Sequence, residues 1–267
     1  MILTFARTMV AFFLVTSLIV TNTAEASYAA SLEKMSNTES PQNEESESQD
    51  DDPLESFNRF MFAFNELFDG VILRPLALVY DTITPEPVQD IVGNFLDNLL
   101  EPVTFMNDLL QLKPEAAGQT LARFAMNSTL GVGGLFDVAD EWADIKRHKE
   151  DFGQTMGAAG VGSGPYLVLP FIGPSSFRDM IGKAVDVITD PVDYALRRSD
   201  RDTLIYVRKG VDAVHRRAKA LPLTDSIDKT ATDKYIRIRT LYTQHRHFKV
   251  KDGNVPVSEE DSVEMVE

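Results

Sequence analysis

Cysteine is absent from all 267 residues. Within this sequence that excludes disulfides, thiolate zinc sites, a cysteine nucleophile and a thiol-linked lipid. Histidine is scarce, at four residues, which leaves little material for a histidine-based metal centre. Basic residues are outnumbered, 26 Lys and Arg against 41 Asp and Glu, for a net charge of −15. Such bulk acidity excludes a nucleic-acid binder, because neutralising phosphates requires a basic footprint. Hydrophobic residues nevertheless make up 43% of the chain, enough to exclude wholesale disorder.

The apolar run Met9 to Val20 is preceded by Arg7 and followed by Ala24-Glu25-Ala26. A basic start, a short apolar stretch and a small-residue site read as a secretory signal peptide cleaved after Ala26. The run is shorter than the ~20 apolar residues that a transmembrane helix needs. Residues 1–26 are therefore expected to be the signal, with an uncleaved signal anchor as the alternative. Residues 27–50 read as a disordered acidic linker and 250–267 as a disordered acidic tail. The body, 51–249, is left as the folded domain.

That body carries helical periodicity. Phe57, Phe60, Met61, Phe64 and Phe68 recur at three- and four-residue steps, behind a start signal at Asp52-Pro53. Pro87, Pro102 and Pro114 each sit at the head of a further stripe, where a missing N–H costs nothing. Later stripes fall on 177–188, on 204–221 and on a final segment holding Tyr235, Ile238, Leu241 and Tyr242. Only Tyr166 to Ile172 reads as extended. The fold class expected is mainly α, built of short amphipathic helices with no regular sheet. Each stripe alone is compatible with ordinary core packing. Together, the Phe-rich faces also suit helices lying in a membrane interface.

Charge is segregated. Arg197 to Lys251 holds fifteen bases and six acids, a net +9 within an acidic chain. Two readings stay open: balance for acids elsewhere in the fold, or contact with anionic lipid head groups or an acidic protein. No catalytic constellation is present. Gly160-Val161-Gly162-Ser163-Gly164 fails both the nucleophile-elbow and dinucleotide spacings, and Gly182-Lys183 lacks the rest of a phosphate loop. His245 and His247 are two apart and read as surface residues. Neither an enzyme nor a cofactor is expected. The glycines at 153, 157, 160, 162 and 164 suit either helix ends and tight turns or a wall that backbone can approach closely.

The order of motifs says more. Asp52-Pro53-Leu54-Glu55-Ser56-Phe57-Asn58-Arg59 opens the body, followed by Arg74-Pro75, Asn94-Phe95 and Glu101-Pro102. Arg123-Phe124 leads to Asn127-Ser128-Thr129-Leu130-Gly131-Val132-Gly133-Gly134 and Asp137, then Glu150-Asp151-Phe152-Gly153-Gln154-Thr155. Gly160 to Tyr166, Leu169-Pro170 and Arg178-Asp179 complete the series. Over Asp52 to Phe248 this resembles the MlaA (VacJ) family of Gram-negative outer-membrane proteins. The resemblance implies a ring-like helical protein on the periplasmic face of the outer membrane. It implies an amphipathic channel that removes mislocalised phospholipids from the outer leaflet, with a trimeric porin and a soluble periplasmic lipid carrier as partners.

On that basis the 57–68 helix is expected to form membrane-contacting wall. Phe57, Phe60, Met61, Phe64 and Phe68 would meet lipid, with Asn58, Arg59 and Asn65 on its more polar side. Gly153, Gly157, Gly160, Gly162 and Gly164 are the candidates for an adjustable wall. The sequence departs from the family in two places. The family's usual N-terminal cysteine anchor has no counterpart here, so attachment is expected to rest on helices and partners. In the pattern D-P-Y-x-x-x-R-x-x-Y, Asp233, Tyr235, Arg239 and Tyr242 match, but Lys234 replaces proline. A soluble periplasmic lipid-binding carrier is the alternative function.

Overall fold

The computed structural model describes residues 52–253. The candidate signal segment with Ala26, the acidic linker and most of the acidic tail lie outside these residues. Among the described residues, twelve α-helices and one two-stranded sheet follow in order. Helix α1 (Glu55–Phe68) runs through a π-helical turn (Asp69–Leu73) into α2 (Arg74–Ile83). Next come α3 (Glu86–Asn98), α4 (Glu101–Leu110), α5 (Pro114–Thr129), α6 (Val138–Ala143) and α7 (Phe152–Ala158). Strands β1 (Tyr166–Leu169) and β2 (Gly173–Ser176) form an antiparallel hairpin. Helices α8 (Phe177–Thr189), α9 (Pro191–Arg198), α10 (Asp202–Lys219), α11 (Leu221–Thr230) and α12 (Lys234–Val250) complete the unit.

Proline opens α3, α4 and α5 as the sequence suggests, with no side-chain cap needed. Elsewhere acids and serine cap. Asp137, Asp151, Ser176, Asp190 and Asp233 each accept from a backbone N–H in the first turn of the helix that follows. Lys234 therefore sits inside a normally capped helix, and its ammonium pairs with Glu66 at 2.7 Å and Asp228 at 2.6 Å.

The start at Asp52-Pro53 differs from expectation. Helix α1 begins at Glu55, and Asp52 is buried rather than capping it outright. Its carboxylate accepts from Leu54 N at 3.0 Å, from Asn58 Nδ2 and from the Tyr235 hydroxyl of α12. The fold is mainly α as expected, and the stretch read as extended holds β1; β2, Gly-Pro-Ser-Ser, has no apolar alternation to announce it.

Packing closes a circuit. Helix α1 lies on β1, β2 on α8, α8 on α7, α7 on α4, α4 on α9, α9 on α10, and α10 on α2, which rejoins α1 through the π-turn. The α7–α8 contact is backbone on backbone. A Cβ added at Gly182 would stand 2.3 Å from Gly153 N, so only glycine allows this approach. Among the described residues no helix is long and apolar enough to cross a membrane.

Candidate functional site

Burial in this fold is inverted. Among the described residues twelve hydrophobic side chains are buried, eighteen polar or charged ones are, and thirty-six large hydrophobic ones are exposed. The apolar cluster amounts to Ala77, Ala218 and Leu221 with Tyr80 against them. A protein surrounded by water on every side inverts these numbers, because apolar burial is its main favourable term. Here hydrogen bonds and ion pairs hold the interior instead. Arg123, fully buried, reaches Asp137 at 2.7 Å, Glu101 at 3.3 Å and the carbonyl of Ile145. Arg246 joins Asp151 and Asp179, both at 2.7 Å. Burial pushes those two carboxyls up, and Arg246 more than offsets it, holding both below the usual aspartate range.

Two cavities that share Leu96 and Asp212 open between α3, α4, α8 and α10. The larger, about 440 Å³, is lined by Gly93, Leu96 and Asp97 of α3, by Lys149, and by Asp212, His215, Arg216 and Lys219 of α10. The smaller, about 160 Å³, continues along Leu100, Val103 and Val187, with Asp186, Asp190, Arg208 and Lys209 at its margin. One end thus offers cations, the other mainly aliphatic carbon. Asp97 is already held by Arg147 at 2.7 Å and Lys149 at 2.8 Å, and Asp212 by Arg216 at 2.6 Å. Burial, then the neighbouring Lys219, pushes His215 below the usual histidine range, and its Nδ1 lies 3.1 Å from the Tyr80 hydroxyl.

The α10 side chains in these cavities come from the basic segment that the sequence singles out, yet their convergence with α3 could not be read from it. Arg208, Lys209, Arg217, Lys219 and Arg246 meet acids outside the segment, and Arg216 and Lys234 meet both a neighbour within it, Asp212 or Asp228, and one outside, Asp97 or Glu66. Each of the seven has an acidic partner, and Arg216 and Lys219 remain about half exposed at the cavity.

The residues proposed on α1 divide. Phe57, Phe60 and Phe64 are exposed, with Leu67 on the same stripe. Met61 and Phe68 are half-buried. Phe64 and Phe68 set their rings edge-on against Phe171 at the hairpin tip, at 5.3 and 4.9 Å. Of the polar three, the asparagines turn inward and Arg59 stays partly exposed. Asn58 donates to Tyr166 O and accepts from Val168 N, both at 2.9 Å. Asn65 does the same for Leu169 O and Phe171 N, at 2.9 and 2.8 Å. Arg59 pairs with Asp233 at 2.8 Å and lies over the Tyr235 ring at 4.5 Å. None of these three lines the cavities.

The glycines divide too. Gly153 is enclosed by Asp179, Arg246 and Asp151, and Gly157 by Val250 and Arg178. Gly160, Gly162 and Gly164 lie on an exposed loop, with positive φ at Gly160 and Gly164. His245 and His247 are exposed. Among the described residues no cluster could hold a metal ion.

Beside the larger cavity, His148 Nε2 stands 2.9 Å from Asp108 Oδ1, and Asp108 is fully buried. Donating to the Asp108 carboxylate raises the His148 pKa above the usual histidine value despite burial. A raised histidine pKa contributes stability that is fully present below the unfolded value and is lost as pH climbs through the folded one. His148→Gln is therefore expected to flatten the fall in melting temperature between pH 6 and pH 8, measured in detergent micelles (unfolded histidine titrates near pH 6.5, roughly).

Comparison with known proteins gives this geometry its relatives. The family described as MlaA lipoprotein matches residues 50–249. An uncharacterised protein of Rickettsia prowazekii is 38% identical over 201 residues, covering 75% of this chain and 78% of its own. The intermembrane phospholipid transport system lipoprotein MlaA of Haemophilus influenzae is 34% identical, over 80% of this chain and 84% of its own. A solved structure from work on how bacterial outer-membrane lipid asymmetry is maintained superposes with a TM-score of 0.66 at 33% identity. It covers 75% of this chain and 99% of that one. With three-quarters of its length matched in both sequence and fold, the chain belongs to the MlaA family.

Proposed function

We propose that this protein moves phospholipids between membranes. It withdraws mislocalised phospholipid from the outer leaflet of a Gram-negative outer membrane through the lumen beside α10 and passes it to a soluble periplasmic carrier. The observation that carries this reading is the inverted burial around a lumen with a cationic and an aliphatic end. A phosphate-bearing head group finds Lys149, Arg216 and Lys219, and acyl carbon finds Leu96, Leu100, Val103 and Val187. Unaided transfer drags the head through hydrocarbon, where each unsatisfied polar group costs several kcal/mol (roughly). A polar lumen removes that barrier and needs neither a nucleophile nor a cofactor.

The outward apolar face suits a seat in the periplasmic leaflet. Each Phe or Leu transferred from water is worth about 1.5–3 kcal/mol. A water-soluble carrier would leave that face wet, which disfavours the alternative. We further propose that residues 1–26 direct export, that the 27–50 linker and the tail flank the 51–249 domain, and that a trimeric porin is the membrane partner.

The test is charge reversal in the lumen. Lys149 and Lys219 are each about half exposed and pair with Asp97 and Asp90, so Lys149→Glu with Lys219→Glu is read beside Lys149→Gln with Lys219→Gln, which removes the cations without setting new carboxylates against those acids. Cells carrying either variant are expected to accumulate phospholipid at their surface and to become sensitive to detergent, at normal protein level. Unchanged lipid asymmetry with the variants present would take this cavity out of the path.

A further inference from the structure

Seven of the fifteen bases after residue 196 are paired, and three of the others converge. Arg197 and Arg198 end α9, and Arg201 follows at the turn into α10. All three are exposed, and none has a carboxylate within 4.0 Å among the described residues. Asp200 takes positive φ at the apex of this turn, and the backbone N–H groups of Ser199 and Arg201 are bonded back to α9, so the corner is a formed turn. Two tyrosines flank it, Tyr194 at 63% and Tyr206 at 72% exposure.

The helix beyond the corner adds apolar surface. Ala218 is buried where α10 packs on α2. Residues one and two heptads earlier on the same face, Val211 and Leu204, are 41% and 47% exposed, and Val207 between them 53%. Arginine, tyrosine and an uncovered aliphatic stripe on one corner match a bilayer's head-group layer. Phosphates meet guanidinium there, tyrosine straddles the boundary, and aliphatic carbon reaches the acyl chains.

We propose that the α9–α10 corner is a lipid-surface contact distinct from the lumen, binding the anionic head groups of the bilayer beside the protein. It rests on the membrane seat proposed above and adds to it a charge preference: the corner fixes the depth and tilt of α10, whose adjoining face lines the lumen. An acidic protein would meet the arginines but would not require the uncovered Leu204, Val207 and Val211.

The test uses protein purified from cell envelopes, mixed with vesicles of phosphatidylcholine alone or phosphatidylcholine with phosphatidylglycerol, and sedimented. Arg197→Gln/Arg198→Gln/Arg201→Gln is expected to lose on the order of a hundredfold in affinity for the anionic vesicles, from about fivefold per arginine at the surface. It should change by less than about twofold on neutral vesicles, where that electrostatic attraction is missing. Tyr206→Ala should weaken both. Wild-type affinity of the triple variant for anionic vesicles overturns the proposal while leaving the membrane seat intact, and assigns the corner to an acidic protein surface. Equal losses on both vesicle types overturn it as well. Failure of the unmodified protein to bind either vesicle would overturn the membrane seat itself, and this proposal with it.

Discussion

Arg123→Met is expected to unfold this protein more readily than any single change in its apolar residues. The guanidinium has no solvent exposure. Its Nη2 lies 2.8 and 2.7 Å from the two oxygens of Asp137, its Nε donates to Glu101 at 3.3 Å, and its Nη1 to the carbonyl of Ile145. These partners sit on α4, at the N-cap of α6 and on the segment after α6, so one side chain ties three pieces of chain to α5. Burial raises the Asp137 carboxyl, and the arginine is the first of the groups that reverse this and hold it low.

Removing one partner of a buried pair leaves the other charge uncompensated, a loss of about 3–5 kcal/mol. For a domain of this size, roughly 2–4 °C in melting temperature accompanies each kcal/mol. A fall on the order of 10 °C in detergent micelles is the expected reading. Arg123→Lys should recover little, because an ammonium cannot span Asp137, Glu101 and a carbonyl with a rigid fork. A shift of only a degree or two in either variant would mean that the ion network is incidental to stability.

Most helices were legible because their starts carry proline or a capping acid and their apolar residues keep a 3.6-residue period. What that period could not reveal is which way the apolar face points. In Phe57, Phe60 and Phe64 the same stripe would serve a core or a membrane, and only the buried partners of Asn58 decide that the helix is turned polar side in. Short polar elements were also hidden. β2 is Gly-Pro-Ser-Ser, and its place in the sheet comes from pairing with β1 and from Ser176 capping α8. The larger cavity was half visible: the basic face of α10 stands out in sequence, but Gly93, Leu96 and Asp97 lie more than a hundred residues earlier, and nothing local joins them to it.

The second large effect concerns the seam between α1 and β1. Asn58 and Asn65 are seven residues apart, about 10.5 Å along a helix. The two places they bind on β1 start three residues apart, at Tyr166 and Leu169, about 10 Å along a strand. Tyr166 and Val168 share one edge of β1, so the Asn58 amide supplies that free edge with the donor and acceptor of a missing strand, while Asn65 holds the end of the strand and the turn at Phe171. That edge would otherwise stand open to pairing with another chain.

Asn58→Leu keeps the volume and removes both bonds. It orphans the N–H of Val168, which is fully buried and lies opposite Pro174 in the hairpin register, and it strips two contacts from the buried Asp52 carboxylate. At about 1–3 kcal/mol for each group left unsatisfied, the loss should approach that of Arg123→Met. Asn65→Leu should cost less, since Asn65 is only half-buried and the Phe171 N–H it serves is at an exposed tip.

The functional consequence follows from the rings. Phe171 is held against Phe64 and Phe68 only while β1 keeps its register on α1. Asn65→Leu should therefore release the Phe171–Ile172 tip without unfolding the body. The expected signature is faster amide exchange confined to residues 166–176, with the melting temperature near normal. Protection equal to wild type across that hairpin would show that aromatic packing alone holds it in place.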